Sequence, residues 1–149
     1  MTQRLSRHFG TLIGRRVAFA AVRPTPESKA QQMWGVYTVS PDNAPMVVQA
    51  DLPLLGSFAG ALVGLPAQEV TGRLRGRPLD ELLRDAIYEV LNIAGAVIMN
   101  EHHIALSAMT EEKKELQEGA AGLLAAAAIR SDFDVTIDGY PGGRLTVFS

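Results

Sequence analysis

Residues 78–99 constrain this chain more than any other stretch. Stepped at about 100° per residue, Leu83, Ala86, Ile87, Val90, Ala94, Val97 and Ile98 fall on one broad arc. Glu81, Asp85, Glu89 and Asn92 fall on the opposite one. The pattern predicts a long amphipathic helix whose apolar face must be buried against another layer. Pro78 is expected at its first position, with Asp80 and Glu81 near the positive end of the helix dipole. Asp85, Glu89 and Asn92 stand at i, i+4 and i+7, so their side chains project in one direction. Beyond Asn92 that face is expected to turn small, at Gly95 and Ala96, leaving room for another surface to approach.

The rest of the chain supplies the layers such a helix needs. Its 149 residues suffice for one core and are too few for two ordinary domains, so residues 1–149 are expected to form a single domain. A short helix is expected over residues 4–12, stopped by Gly14, followed by a strand over 17–22 and a loop over 24–31. Strands over 33–40 and 46–50 flank a turn holding Pro41, Asp42, Asn43 and Pro45, which predicts an antiparallel hairpin. Asp51 is placed to cap a helix that runs from Leu52 to near Gly64, with Gly56 and Gly60 on one stripe suited to close packing. Residues 102–108 read as a strand or an extended connection, and 116–129 as an Ala-rich core helix anchored by Leu123, Leu124 and Ile129. Strands over 134–137 and 145–148 flank Gly139, Tyr140, Pro141, Gly142 and Gly143 as a second hairpin. The expected fold is α+β, an antiparallel sheet packed against helices.

Composition removes whole classes of chemistry. Hydrophobic residues make up 47% and charged residues 20%, which argues against bulk disorder. No cysteine is present, so disulfides, thiolate zinc sites and cysteine nucleophiles are out. A net charge of −2 argues against a general nucleic-acid partner. No apolar run reaches the ~20 residues of a bilayer span, and residues 1–10 lack a signal-peptide core, so no membrane partner and a cytoplasmic location are expected. His102 and His103 are adjacent and would face opposite sides of a strand, so no metal site is expected there. Ser57 and Ser107 lack a Gly-x-Ser-x-Gly context, and dinucleotide and P-loop patterns are absent. Arg73, Arg75 and Arg77 would share one face if 71–77 were extended, and would then attract phosphate or an acidic partner. The plainer reading of those three is an exposed connector.

That leaves the polar face of the long helix. A carboxamide is neutral, both donates and accepts, and can orient a water without repelling a phosphoryl group. A carboxylate becomes useful there when it meets a cation brought by a partner. With nine Glu and three Asn, chance supplies roughly 0.2 copies of Glu-x-x-Asn in the chain. Requiring Asp or Ser four residues before the Glu lowers this to about 0.02, so the single copy is informative.

Asp85-x-x-x-Glu89-x-x-Asn92, followed by Ile93-Ala94-Gly95-Ala96, resembles the signature helix of the CheC/CheX/FliY group of chemotaxis phosphatases, which dephosphorylate the response regulator CheY. The resemblance implies a CheC-like fold with one site, closest to CheX, because the helix after Asp51 has no Glu-x-x-Asn. It further implies that Glu89 binds the response regulator through that partner's lysine and that Asn92 positions the attacking water. Asp85 would join the partner-binding face, with Arg73, Arg75 and Arg77 as a secondary docking element. Magnesium would belong to the regulator, and this chain would need no cofactor of its own. Glu115 stands where the family pattern has proline, which supports a second reading, a noncatalytic interaction or dimerisation module. A third is a small-molecule sensor with a cavity among the small-residue helices. Homodimerisation is expected through edge strands at either hairpin.

Overall fold

The computed structural model describes residues 1–24, 26, 28–100 and 103–149. Its elements run in the order α1 (Thr2–Ile13), β1 (Val17–Val22), β2 (Gln32–Val39), β3 (Ala44–Asp51), α2 (Leu52–Val63), α3 (Ala67–Leu74) and α4 (Glu81–Ile98). After these come β4 (Ile104–Thr110), a 3₁₀ turn (Lys113–Glu115), α5 (Glu118–Ala126), β5 (Arg130–Ile137) and β6 (Tyr140–Phe148). The strands form one antiparallel sheet in the order β1-β5-β6-β3-β2-β4. This is the α+β architecture expected from the sequence.

Strand alternation decides which side of the sheet each helix covers. Met33 and Tyr37 of β2, Val48 and Ala50 of β3, and Leu145 and Val147 of β6 point into the main core under α1, α2 and α4. Phe9 of α1 meets Phe58 of α2 at 4.7 Å between ring centres, and Phe19 of β1 stands edge-on to Phe133 of β5 at 6.1 Å. Burial of such rings is the main stabilising term of this layer. The opposite face carries a second, smaller cluster of Trp34, Val47, Ala120 and Phe148, capped by α5.

Several local expectations shift. Both hairpins form, but they lie inside the sheet; the edges are β1 and β4, so neither hairpin offers an edge for dimerisation. The β1 edge is partly covered by α1, whose Ser6 Oγ accepts from the Phe19 N–H at 2.9 Å. Asp51 stands at the start of α2 without capping it. Its carboxylate accepts instead from Gln32 Nε2 at 2.6 Å and from the Arg144 N–H at 2.9 Å. The Ala-rich helix ends at Ala126, short of residue 129, and does not enter the main core. Only Ala120 of α5 is buried, and Ile129 is 63% exposed. Leu123 and Leu124 do anchor the helix, but on the smaller cluster rather than in the main core.

Gly56 and Gly60 pack as expected, against α3. A Cβ built on Gly60 would stand 2.1 Å from Val70 Cγ2, and one on Gly56 would stand 2.6 Å from Leu74 Cδ1. Among the described residues no helix is long and apolar enough to cross a membrane.

Candidate functional site

The face of α4 is set by burial on its other side. Leu83, Ala86, Ile87, Val90, Ala94, Val97 and Ile98 are all buried, as their arc requires. Asp85, Glu89 and Asn92 are all exposed. With Ala96, also exposed, they occupy about 60° of the helix circumference at roughly 100° per residue. Glu89 and Asn92 are three residues apart, which places their Cβ atoms about 5–6 Å from each other on adjacent turns. Neither side chain has a hydrogen bond or ion pair among the described residues. A carboxylate and a carboxamide therefore stand side by side, solvated and unengaged.

Both ends of α4 are pinned. The helix begins at Glu81, three residues later than Pro78, because Asp80 takes the capping position. Asp80 Oδ1 accepts from the Leu83 N–H at 3.1 Å, while its Oδ2 pairs with Arg73 of α3 at 3.0 Å. At the other end Arg4 of α1 donates from Nε to the Val97 carbonyl at 2.9 Å and from Nη2 to the Ile98 carbonyl at 3.2 Å. A guanidinium there satisfies open carbonyls and meets the negative end of the dipole. Arg4→Ala is expected to cost about 1–2 kcal/mol. For a chain of this size that lowers Tm by roughly 3–6 °C, measurable by a thermal melt.

The middle of α4 rests on a tyrosine that the sequence reading did not single out. Tyr37 of β2 is 1% exposed, and its hydroxyl donates to the Leu91 carbonyl at 2.5 Å. Burial pushes its phenol pKa upward, so the group stays a donor. The ring lies under Gly95, whose built Cβ would come within 2.5 Å of Tyr37 Cε2. Gly95 therefore belongs to the inward face, and only Ala96 continues the exposed one. Alternation of Met33, Gly35 and Tyr37 along the strand was the available signal. Tyr88, next to Glu89, is 42% exposed and donates to the Leu106 carbonyl of the edge strand β4 at 3.2 Å.

Arg73, Arg75 and Arg77 do not share a face. Residues 71–74 belong to helix α3, because Val70 and Leu74 at i and i+4 are drawn onto the glycines of α2. Arg73 pairs with Glu69 at 2.9 Å and with Asp80, a structural clamp. Arg77 donates to the Leu74 carbonyl at 3.0 Å, to Gln31 Oε1, and approaches Glu111 at 3.7 Å. Arg75 alone of the three has no partner among the described residues. Among the described residues no group of three or more His, Asp or Glu is arranged to hold a metal. His102, half of the adjacent pair, and Glu101 lie outside the described residues.

No protein-family model matches the chain, and no curated relative matches its sequence. Solved structures do. A chain in the FliM–SpeE complex from H. pylori superposes with a TM-score of 0.69 at 11% identity, over 99% of this chain and 81% of that one. Thermotoga maritima FliY gives 0.64 at 14% identity, over 97% of this chain and 81% of that one. The chemotaxis protein CheX from Vibrio vulnificus gives 0.59 at 12% identity, over 98% of this chain and 93% of that one. At such identities the likeness is one of fold. With its six-stranded antiparallel sheet and long helices, the chain has the CheC/CheX/FliY-like fold.

Proposed function

We propose that this chain binds a phosphorylated response regulator and assists hydrolysis of its aspartyl phosphate. The observation that supports this most is the pairing of Glu89 and Asn92, both exposed on one face of a helix whose opposite face is buried. Hydrolysis needs a water in line with the bond from phosphorus to the aspartyl oxygen. As the water attacks, that oxygen leaves as the regulator's free carboxylate, and inorganic phosphate is released. Asn92 can hold the water through its carboxamide without adding charge against the phosphoryl oxygens. Glu89 has the sign to meet a lysine on the regulator, with Asp85 one turn earlier reinforcing it. The cation that offsets phosphoryl charge belongs to the regulator in this scheme.

The test uses receiver domains from the same genome, phosphorylated with a small phosphodonor, and follows phosphate loss with and without this protein. Acceleration by catalytic amounts of wild type is the expected result. If no receiver loses phosphate faster, the hydrolytic reading is wrong. Glu89→Ala is expected to weaken association with the receiver about tenfold or more, since it removes one partner of a charge pair. Titration by surface plasmon resonance measures this.

A noncatalytic interaction module on the same fold is the second reading. It is favoured by Glu115, where a phosphatase of this group would carry proline, and by the FliM–SpeE complex among the fold neighbours. Glu115 ends the 3₁₀ turn and accepts from Thr110 Oγ1 at 3.0 Å, so the acidic side chain has a local structural use. Under this reading Glu89→Ala and Asn92→Ala capture partners as well as wild type does in a pull-down.

A further inference from the structure

Helix α3 does not close flush onto the start of α2. A groove of about 230 Å³ remains between them. Leu52 and Pro53 of α2, Val70 and Leu74 of α3, and Pro141 of β6 form its walls. No residue of α4 borders it, so it is separate from the Glu89 and Asn92 face. A dry apolar cavity of roughly 150 Å³ accepts a benzene ring. By that measure the groove admits one ring, or a chain of roughly six to eight carbons, with a polar end at the mouth.

The polar and charged residues of the lining are Gln31, Thr71 and Arg75. Gln31 is committed: its Nε2 donates to Glu111 Oε1 at 2.8 Å and its Oε1 accepts from Arg77. Thr71 turns its hydroxyl back to the Ala67 carbonyl at 3.1 Å. Arg75 remains, exposed and bordering the groove, with no hydrogen bond or ion pair for its guanidinium among the described residues. Its neighbours Arg73 and Arg77 are both engaged, which leaves Arg75 as the cation of this stretch open to a ligand in the groove. A free guanidinium beside apolar walls matches a ligand with a carboxylate at one end and hydrocarbon at the other. The planar fork takes a carboxylate in two parallel hydrogen bonds, and the walls take the hydrocarbon. A bare phosphate would leave the walls empty, and a neutral hydrocarbon would leave Arg75 unused. We propose that the groove between α2 and α3 is a binding site for a small monocarboxylate with an apolar body, held at its charged end by Arg75.

The experiment titrates the full chain with octanoate and phenylacetate, alongside 1-octanol and benzyl alcohol as neutral counterparts. Methyl resonances of Leu52, Val70 and Leu74 report occupancy. Saturable shifts in the millimolar range are expected, with the carboxylates binding about tenfold tighter than the alcohols. Arg75→Gln should remove that preference, and Thr71→Trp should block all four compounds by filling the mouth; melts of both variants confirm that they fold. Three results each overturn the proposal. One is the absence of saturable shifts at these methyls. Another is equal binding of acids and alcohols to wild type. The third is a variant that behaves as wild type, whether binding survives Thr71→Trp or the preference survives Arg75→Gln.

Discussion

If the proposed hydrolysis holds, Asn92→Ala is expected to leave the protein folded and to return phosphate loss from the regulator to its unassisted rate. The two halves of this expectation have separate origins. Asn92 is exposed and its side chain has no hydrogen bond among the described residues, so truncation removes none of these. Alanine is also the better helix former, which makes Tm equal to wild type or slightly higher. The kinetic half follows from the task assigned to the carboxamide. A water that is merely nearby samples many orientations, whereas one held in line is already near the attacking geometry. Losing that restraint is expected to cost on the order of 10² to 10³ in rate, comparable to removing one preorganised donor from an active site. Single-turnover decay of a labelled receiver phosphate, with saturating protein, measures the chemical step apart from binding. A variant that stays folded and retains most of the rate enhancement removes Asn92 from the mechanism.

That Asn92 and Glu89 stand on an open helix face was legible in the sequence because the signal was periodic. Seven apolar positions at helical spacing fix which arc turns inward, and the polar arc follows without any knowledge of the partner layer. The two hairpins were legible for a similar reason, since turn residues stood between short apolar runs. Register and sheet order were not. Which strands lie at the edge depends on pairings between distant segments, such as β3 with β6 and β1 with β5. No local pattern encodes those, so the hairpins were expected to offer edges that the sheet assigns to β1 and β4.

The arginines and the Ala-rich segment failed through tertiary context. Residues 71–77 carry alternating arginines that suit a strand, yet Val70 and Leu74 find glycines of α2 to pack on only in helical spacing. Burying two aliphatic side chains outweighs an exposed alternation that buries nothing. The segment around α5 is helical and packs Leu123 and Leu124 as anchors, but with few large apolar residues it covers the smaller cluster rather than the main core. Asp51 shows the same competition at one residue. Its position suits a cap, while the hydrogen bonds from Gln32 and Arg144 claim the carboxylate.

Gly95 was the subtler misreading, and it carries the largest expected stability effect. Taken as part of the small exposed face, it would tolerate any side chain. In the structure its missing Cβ makes room for the Tyr37 ring, with clearances of 2.5 Å to Cε2 and 2.9 Å to Cδ2 that no real Cβ could occupy. The ring cannot retreat freely, because its hydroxyl is held by the Leu91 carbonyl and Gly35 lies beside that hydroxyl. Gly95→Val should therefore lift α4 off the sheet and cost more than about 3 kcal/mol, with any hydrolytic activity lost alongside the helix position. Tyr37→Phe removes only the hydroxyl and is expected to cost about 1 kcal/mol. A double-mutant cycle separates this account from a general intolerance of the helix. Gly95→Ala alone should destabilise by about 1–3 kcal/mol despite its gain in helix propensity, since overpacking outweighs that gain. In a Tyr37→Leu background the ring is gone, and the same change should cost at least about 1 kcal/mol less, measured by urea unfolding. If the two costs simply add, the ring is not what Gly95 accommodates, and the placement of Glu89 and Asn92 does not depend on this contact.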